Sequence, residues 1–190
     1  MHARDCQLTS LVAVDGASNV EELTHGLVIT RDLTLPLTDV PKADWLLCME
    51  VGEHIPPQFN EPFVSNLVSH ARKGMVLSWS NVCDKGVGHV NCKSEDQVIG
   101  MMRAQEFNYD AQATGLLRNV TAWGYLKTTL MVNGTGHLPA GVSAATASRG
   151  VRVRRCRGAN ISHHAHTFSM LERRRWRRRG SAFVGVAKER

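Results

Sequence analysis

Apolar residues in this chain follow two rhythms. Short runs at Leu11-Val12-Ala13-Val14, Leu27-Val28-Ile29 and Met75-Val76-Leu77 are bounded by acids, glycine or polar residues and read as strands. Asp44 to Val51 is a longer continuous run between turn signals, and it predicts a strand buried on both faces. Elsewhere the spacing is helical. Phe63, Leu67, Val68 and Ala71 follow Asn60 and Pro62, which predicts a helix ended by Gly74. Val98, Ile99 and Met102 share one face behind Ser94-Glu95-Asp96-Gln97, a capping box, and Ser18-Asn19-Val20-Glu21 has the same form. Leu116-Leu117-Arg118 and Tyr125 to Val132 read as a closing pair of strands, a hairpin. Strands alternating with helices predict a doubly wound α/β sheet, which the hairpin makes mixed.

From residue 134 the pattern stops. Gly134 to Gly150 is rich in Gly, Ala, Ser and Thr, a linker composition. It leads into Arg152 to Arg157, the histidines 163, 164 and 166, and the run Arg173 to Arg179 around Trp176. In this tail Phe183-Val184-Gly185-Val186 alone has strand character, and most of the rest is expected to be disordered. The division is therefore a domain over residues 1–133 and a basic tail over 134–190. Charge follows it: the overall +6 is a net −5 over residues 1–133 and +11 over residues 134–190.

Five cysteines, at 6, 48, 83, 92 and 156, show neither metal-finger nor disulfide-framework spacing, and an odd, scattered count favours a reducing compartment. No apolar window reaches the roughly 18 residues of a membrane span, and Leu11 to Val14 is too short for a secretory leader. The expectation is a cytoplasmic protein with no membrane partner. The arginine runs would add nuclear targeting or nucleic-acid contacts.

Candidate chemistry gathers where strands end. In open α/β sheets, ligands bind beyond the carboxyl ends of the strands. Asp15 ends the first visible strand, where an acid can accept hydrogen bonds from both hydroxyls of a ribose, and Glu50 ends the third. Asp15 with Gly16, and Asp32, equally suit tight turns. Glu50, Glu53 and His54 place two carboxylates and an imidazole within five residues, donors that suit magnesium, manganese or zinc. The alternative is that Glu53 and His54 cap a helix and pack.

Three segments, Asp15-Gly16, Glu50-Val51-Gly52-Glu53-His54-Ile55-Pro56 and Gly88-His89-Val90-Asn91, occur in order over about 118 of the 190 residues, Asp15 to Val132. Together they resemble the class I S-adenosylmethionine-dependent methyltransferases, and within them the methyltransferase-like proteins that carry the same segments. The resemblance implies a Rossmann-like sheet and methyl transfer from S-adenosylmethionine to an oxygen or nitrogen of an unspecified acceptor. It assigns Asp15, Gly16, Asp32, Leu33 and Glu50 to the cofactor, with Asp32 and Leu33 at the adenine. The Glu50-x-x-Glu53-His54 spacing is similar to that of the metal-supported enzymes of this superfamily, which makes His89 the downstream ligand. Glu53, His54 and His89 would then be catalytic, and Glu50, Glu53, His54 and His89 would hold a divalent cation.

In one respect the chain departs from the pattern. The family's first strand and its Gly-x-Gly-x-Gly loop have no counterpart before residue 10. That strand is normally central, between the Asp15 and Glu50 strands, and its absence would leave two unpaired edges. Impaired cofactor binding is the expectation, with a non-catalytic remnant or a basic-tail anion binder as the competing readings.

Overall fold

A computed structural model describes residues 8–84, 86–136 and 183–189. The arginine runs and the histidines 163–166 lie outside these residues. Strands β1 (Leu8–Asp15), β2 (Ile29–Thr30), β3 (Ala43–Met49), β4 (Ala71–Ser78), β5 (Asn108–Tyr109), β6 (Leu130–Gly134) and β7 (Phe183–Glu189) form one sheet in the order β2-β1-β7-β3-β4-β6-β5. Helices α1 (Val20–Leu23), α2 (Asn60–His70), α3 (Glu95–Arg103), α4 (Ala111–Val120) and α5 (Leu126–Thr129) connect them. β1 pairs parallel with β2, and β3 with β4, while β6 runs antiparallel to β4 and β5. The architecture is the mixed, Rossmann-like α/β sheet that the pattern predicts. No described helix is long and apolar enough to cross a membrane.

The slot expected to stand open between β1 and β3 is filled. β7 pairs antiparallel with both, Val186 lying opposite Val12 on one side and Leu46 on the other. A strand arriving from the far end of the chain satisfies backbone N–H and C=O groups that would otherwise line two open edges. It runs against its neighbours, so the chain enters the sheet at the rim where a parallel strand would leave it.

Period-two alternation divides the core. Val14 joins Leu46, Cys48, Phe63, Leu67, Met75, Leu77, Val98, Met102 and Met131 on one face of the sheet, and Ala13 turns to Val20 and Val28 on the other. β3 is not buried on both faces as its apolar run predicts. Leu46 and Cys48 face the core, but Leu47 between them is 39% exposed; among the described residues α2 packs on β3, α1 on β2 and α4 on β6.

Three other local expectations fail for physical reasons. α2 ends at His70, whose Nδ1 and Nε2 meet the carbonyls of Asn66 and Leu37, so Gly74 sits inside β4. A Cβ at Gly74 would lie 2.6 Å from the Trp45 ring, so the glycine makes room for that indole rather than stopping a helix. The Ser18 box does not form: α1 is four residues long and has no side-chain cap. Leu116 to Arg118 belong to α4, which Asp110 caps by accepting the Ala113 N–H at 2.7 Å; Leu126 to Thr129 form α5, so the second predicted strand is extended only from Leu130, and β6 pairs with β4 and β5 instead. The Ser94–Gln97 box is present with both of its hydrogen bonds.

Candidate functional site

β1 and β3 both oppose β7 and therefore run in the same direction, which brings Asp15, Asp32 and Glu50 to one rim. Val14 and Cys48 both pair with Val184, so the two strands are level and one strand apart, roughly 10 Å. Asp15 is buried and its Oδ1 accepts the Ala17 N–H at 2.7 Å, which ties the carboxylate to its own turn. Asp32 is exposed, and its Oδ1 accepts both the N–H and the hydroxyl of Thr34 at 2.9 and 2.6 Å. Those two bonds hold its carboxyl below the usual range. Leu33 is a core side chain, and the Asn66 amide donates to its carbonyl at 2.8 Å. Gly16 has ordinary space around it. Asp15 and Asp32 thus shape turns.

The second group is of another kind. Glu50 closes β3 in the left-handed region, φ 56°, held there as its N–H donates to Ser78 Oγ at 2.9 Å. A non-glycine residue in that region stores strain that its surroundings must offset, a feature that recurs at ligand sites. A 3-10 turn, Gly52–His54, follows at once. Gly52 lies under Trp79, where a Cβ would stand 2.4 Å from the indole. Trp79 in turn donates its Nε1–H to the Asn91 carbonyl at 2.6 Å.

Asn91 fixes the downstream segment against this turn. Its amide reaches the carbonyls of Gly52 (3.3 Å) and Ile55 (2.9 Å) and Oδ1 of Asn60 (2.7 Å). The N–H groups of Val90 and Asn91 converge on the Glu53 carbonyl at 2.8 and 3.0 Å. His54 and His89 meet edge to face, ring centroids 4.9 Å apart. One ligand atom from each of Glu53, His54 and His89 lies within 4.8 Å of the others. Each imidazole is oriented by a backbone carbonyl: His54 Nδ1 by Gly88 at 3.1 Å and His89 Nδ1 by Val82 at 3.0 Å. A carbonyl only accepts, so both Nδ1 atoms carry the proton and both Nε2 atoms keep a lone pair.

Glu53 is 0% exposed, and no donor among the described residues reaches hydrogen-bond geometry with either of its carboxyl oxygens or with Oε1 of Glu50. Burial, and next the charge of Glu50, push the Glu53 carboxyl up to about 8. Burial also lowers His54, an effect the Gly88 carbonyl opposes and His89 reinforces, so its imidazole is biased toward the neutral form. Cys48 lies beneath, its thiol pushed up by burial and by both glutamates. The donorless Glu53 carboxyl beside two lone-pair imidazoles calls for a proton or a cation; Glu50 stands outside this three-residue group of ligand atoms and adds its charge to it. The donor set fits a divalent cation: oxygens for magnesium or manganese, imidazoles for manganese or zinc.

The residues that organise this site, Ser78, Trp79 and Asn91 with Gly52, carry no chemistry of their own, and sequence reasoning assigned them none. The scattered cysteines also gave no hint that Cys83 and Cys92 are joined as a disulfide, with Cα atoms 5.6 Å apart, across the loop that carries His89. An open cleft between Pro36-Leu37-Thr38 and α2, of about 260 Å³, includes none of the candidate residues.

No family model matches this chain, and no curated protein matches its sequence. Among solved structures it is similar to magnesium protoporphyrin IX methyltransferase (ChlM) from Synechocystis PCC 6803 with bound SAM. The TM-score is 0.41 and the identity 18%, over 62% of this chain and 51% of that one. The same enzyme with bound SAH gives a TM-score of 0.39 and 17% identity, over 60% and 53%. The pyocyanin biosynthetic protein PhzM gives 0.39 and 12%, over 62% and 38%. The chain thus spans about half, or less, of the length of each.

Proposed function

We propose that this chain transfers a methyl group from S-adenosylmethionine to an oxygen or nitrogen acceptor, at a rim site where Glu50, Glu53, His54 and His89 hold a divalent cation. The observation that supports it is the buried Glu53 carboxyl, without a protein donor, beside two imidazoles whose Nε2 lone pairs are free to bind. The cation would hold the acceptor and lower the pKa of its hydroxyl.

The chain's own residues supply the rest. With His54 Nδ1–H on the Gly88 carbonyl and Nε2 given to the cation, His54 would position the acceptor; the acceptor's acidified proton would leave to solvent as the acceptor's lone pair forms the bond to the methyl carbon and the S–C bonding pair returns to sulfur. Trp79 and the Asn91 clamp exclude water beneath the cluster and fix its geometry, and alignment of this kind accounts for most of the barrier reduction in a displacement. Asp15 would bind the ribose hydroxyls and Asp32 the adenine only by yielding the turn bonds they now make. β7 brings no glycine-rich turn out of the central strand, since its rim end is where the chain enters. Weak cofactor binding follows from both.

Calorimetric titration with S-adenosylmethionine, with and without manganese, tests the reading. Binding strengthened by the cation is expected. A flat titration at millimolar cofactor, in the presence of manganese, would overturn it.

A further inference from the structure

The Cys83–Cys92 disulfide sits one shell away from the Glu53 cluster. Cys83 is exposed, and Cys92 and His89 are half-buried. Cys92 donates its N–H to Cys83 Sγ at 3.3 Å, and its own Sγ lies 4.0 Å from His89 Nδ1. The spacing Cys83-x5-His89-x2-Cys92 is unlike a zinc finger's, but Gly86 lets the loop close on His89. A Cβ at Gly86 would fall 2.1 Å from the His89 ring, so that imidazole lies directly on the loop backbone.

We propose that reduction of this disulfide uncovers a second metal site, selective for zinc, made of Cys83, Cys92 and His89 with a fourth position open to solvent. In tetrahedral zinc with metal–sulfur distances of about 2.3 Å, two thiolates stand about 3.8 Å apart and a thiolate and an imidazole nitrogen about 3.6 Å. The separation between Cys92 Sγ and His89 Nδ1 is already close to that edge; the two sulfurs must part once their bond is broken, and His89 must pass its proton to Nε2 and release the Val82 carbonyl so that Nδ1 can ligate. Soft thiolates favour zinc over the magnesium or manganese that suits the carboxylates of the rim. The site stands independently of the methyltransferase reading, although His89 belongs to both.

The chemistry balances with a phosphine as reductant. The disulfide, the phosphine and one water give two thiols and a phosphine oxide, and zinc then displaces both thiol protons to solvent.

Cobalt(II) is the probe, added to the full chain carrying C6S and C156S so that neither of those cysteines contributes. The phosphine-reduced protein is expected to take one equivalent and to develop sulfur-to-cobalt charge-transfer absorption, which zinc abolishes. The oxidised protein shows none. C92S removes the band and H89A weakens binding at least tenfold, whereas E53Q, which disables the rim cation site, leaves it intact. Two protons released per zinc in weak buffer would agree. A reduced protein without charge-transfer absorption would overturn the proposal, as would a band that survives C92S. The comparison of oxidised with reduced protein needs neither of these variants, so a folding failure in one does not shield the idea.

Discussion

The N–H of Asn91 donates to the carbonyl of Glu53 at 3.0 Å, and this bond joins two segments from different parts of the chain into one site. The Asn91 side chain then donates to Gly52, Ile55 and Asn60. Asn91→Ala keeps the backbone bond and strips the amide, taking a donor from the part-buried Ile55 carbonyl and Asn60 Oδ1 while Gly52 keeps the Ile55 N–H, at a cost of about 1–3 kcal/mol. Loss of an orienting neighbour typically lowers metal affinity about 10–100-fold. Urea unfolding and manganese titration of the variant measure the two effects. Asn91→Ala with wild-type stability and wild-type manganese affinity would show that the clamp is idle.

Glu53 makes stability depend on pH in a stated direction. Its carboxyl stands at about 8 in the folded chain against an ordinary 4.5, so the folded state favours the protonated form. The stabilisation is complete below about pH 4.5 and is lost as pH rises through 8. Without added metal, the melting temperature should therefore fall across that window, and Glu53→Gln, which carries no charge to bury, should flatten the fall. Manganese should also flatten it for the wild type but leave the glutamine variant unchanged. A wild-type profile that rises between pH 5 and 8 contradicts the burial argument.

How far the sequence leads depends on the range of the interactions involved. β1, β3, β4, α2 and α3 are visible because their apolar spacing and caps are local. So are the acids of the rim, since each directly follows a strand. The union of Glu53 with His89 came from motif resemblance, and the chain makes it through Asn91, a residue with no periodic signature. Leu116-Leu117-Arg118 looks like a strand in isolation, while the cap that starts α4, Asp110, lies six residues earlier. The Cys83–Cys92 bond, although it spans nine residues, and the long-range pairing of β7 are facts that composition does not encode. The strand character of Phe183 to Val186 was legible, but its place between β1 and β3 follows only from the edges those strands leave.

That placement can be broken at one residue. Val186 pairs with Val12 and Leu46 in the middle of the sheet. Proline there removes a ladder donor from a central strand, a position that sheets do not tolerate. Val186→Pro should lower the urea midpoint sharply, and amide exchange should accelerate on both β1 and β3, which lose their shared partner. Lys188→Pro, beside Ser10 and beyond the last pair with β3, should do much less. Equal and small effects from the two prolines would mean that β7 does not hold the sheet together in solution.

Gly52 and Trp79 offer the sharpest test of how the rim is built. A Cβ at position 52 meets the indole at 2.4 Å, so Gly52→Ala must displace either Trp79 or the turn that carries Glu53. Overpacking of this sort costs about 1–3 kcal/mol. Trp79→Leu alone opens a cavity and loses the bond to the Asn91 carbonyl, and is destabilising by itself. Combined with Gly52→Ala it should cost less than the sum of the two, because the added methyl enters space that the indole has left. A double-mutant cycle on unfolding free energies reads this as a coupling of about 0.5–3 kcal/mol. Strict additivity would mean that the turn, and not the indole, gives way, and the Glu53 cluster would then lose manganese affinity in Gly52→Ala to the same extent whether or not Trp79 is present.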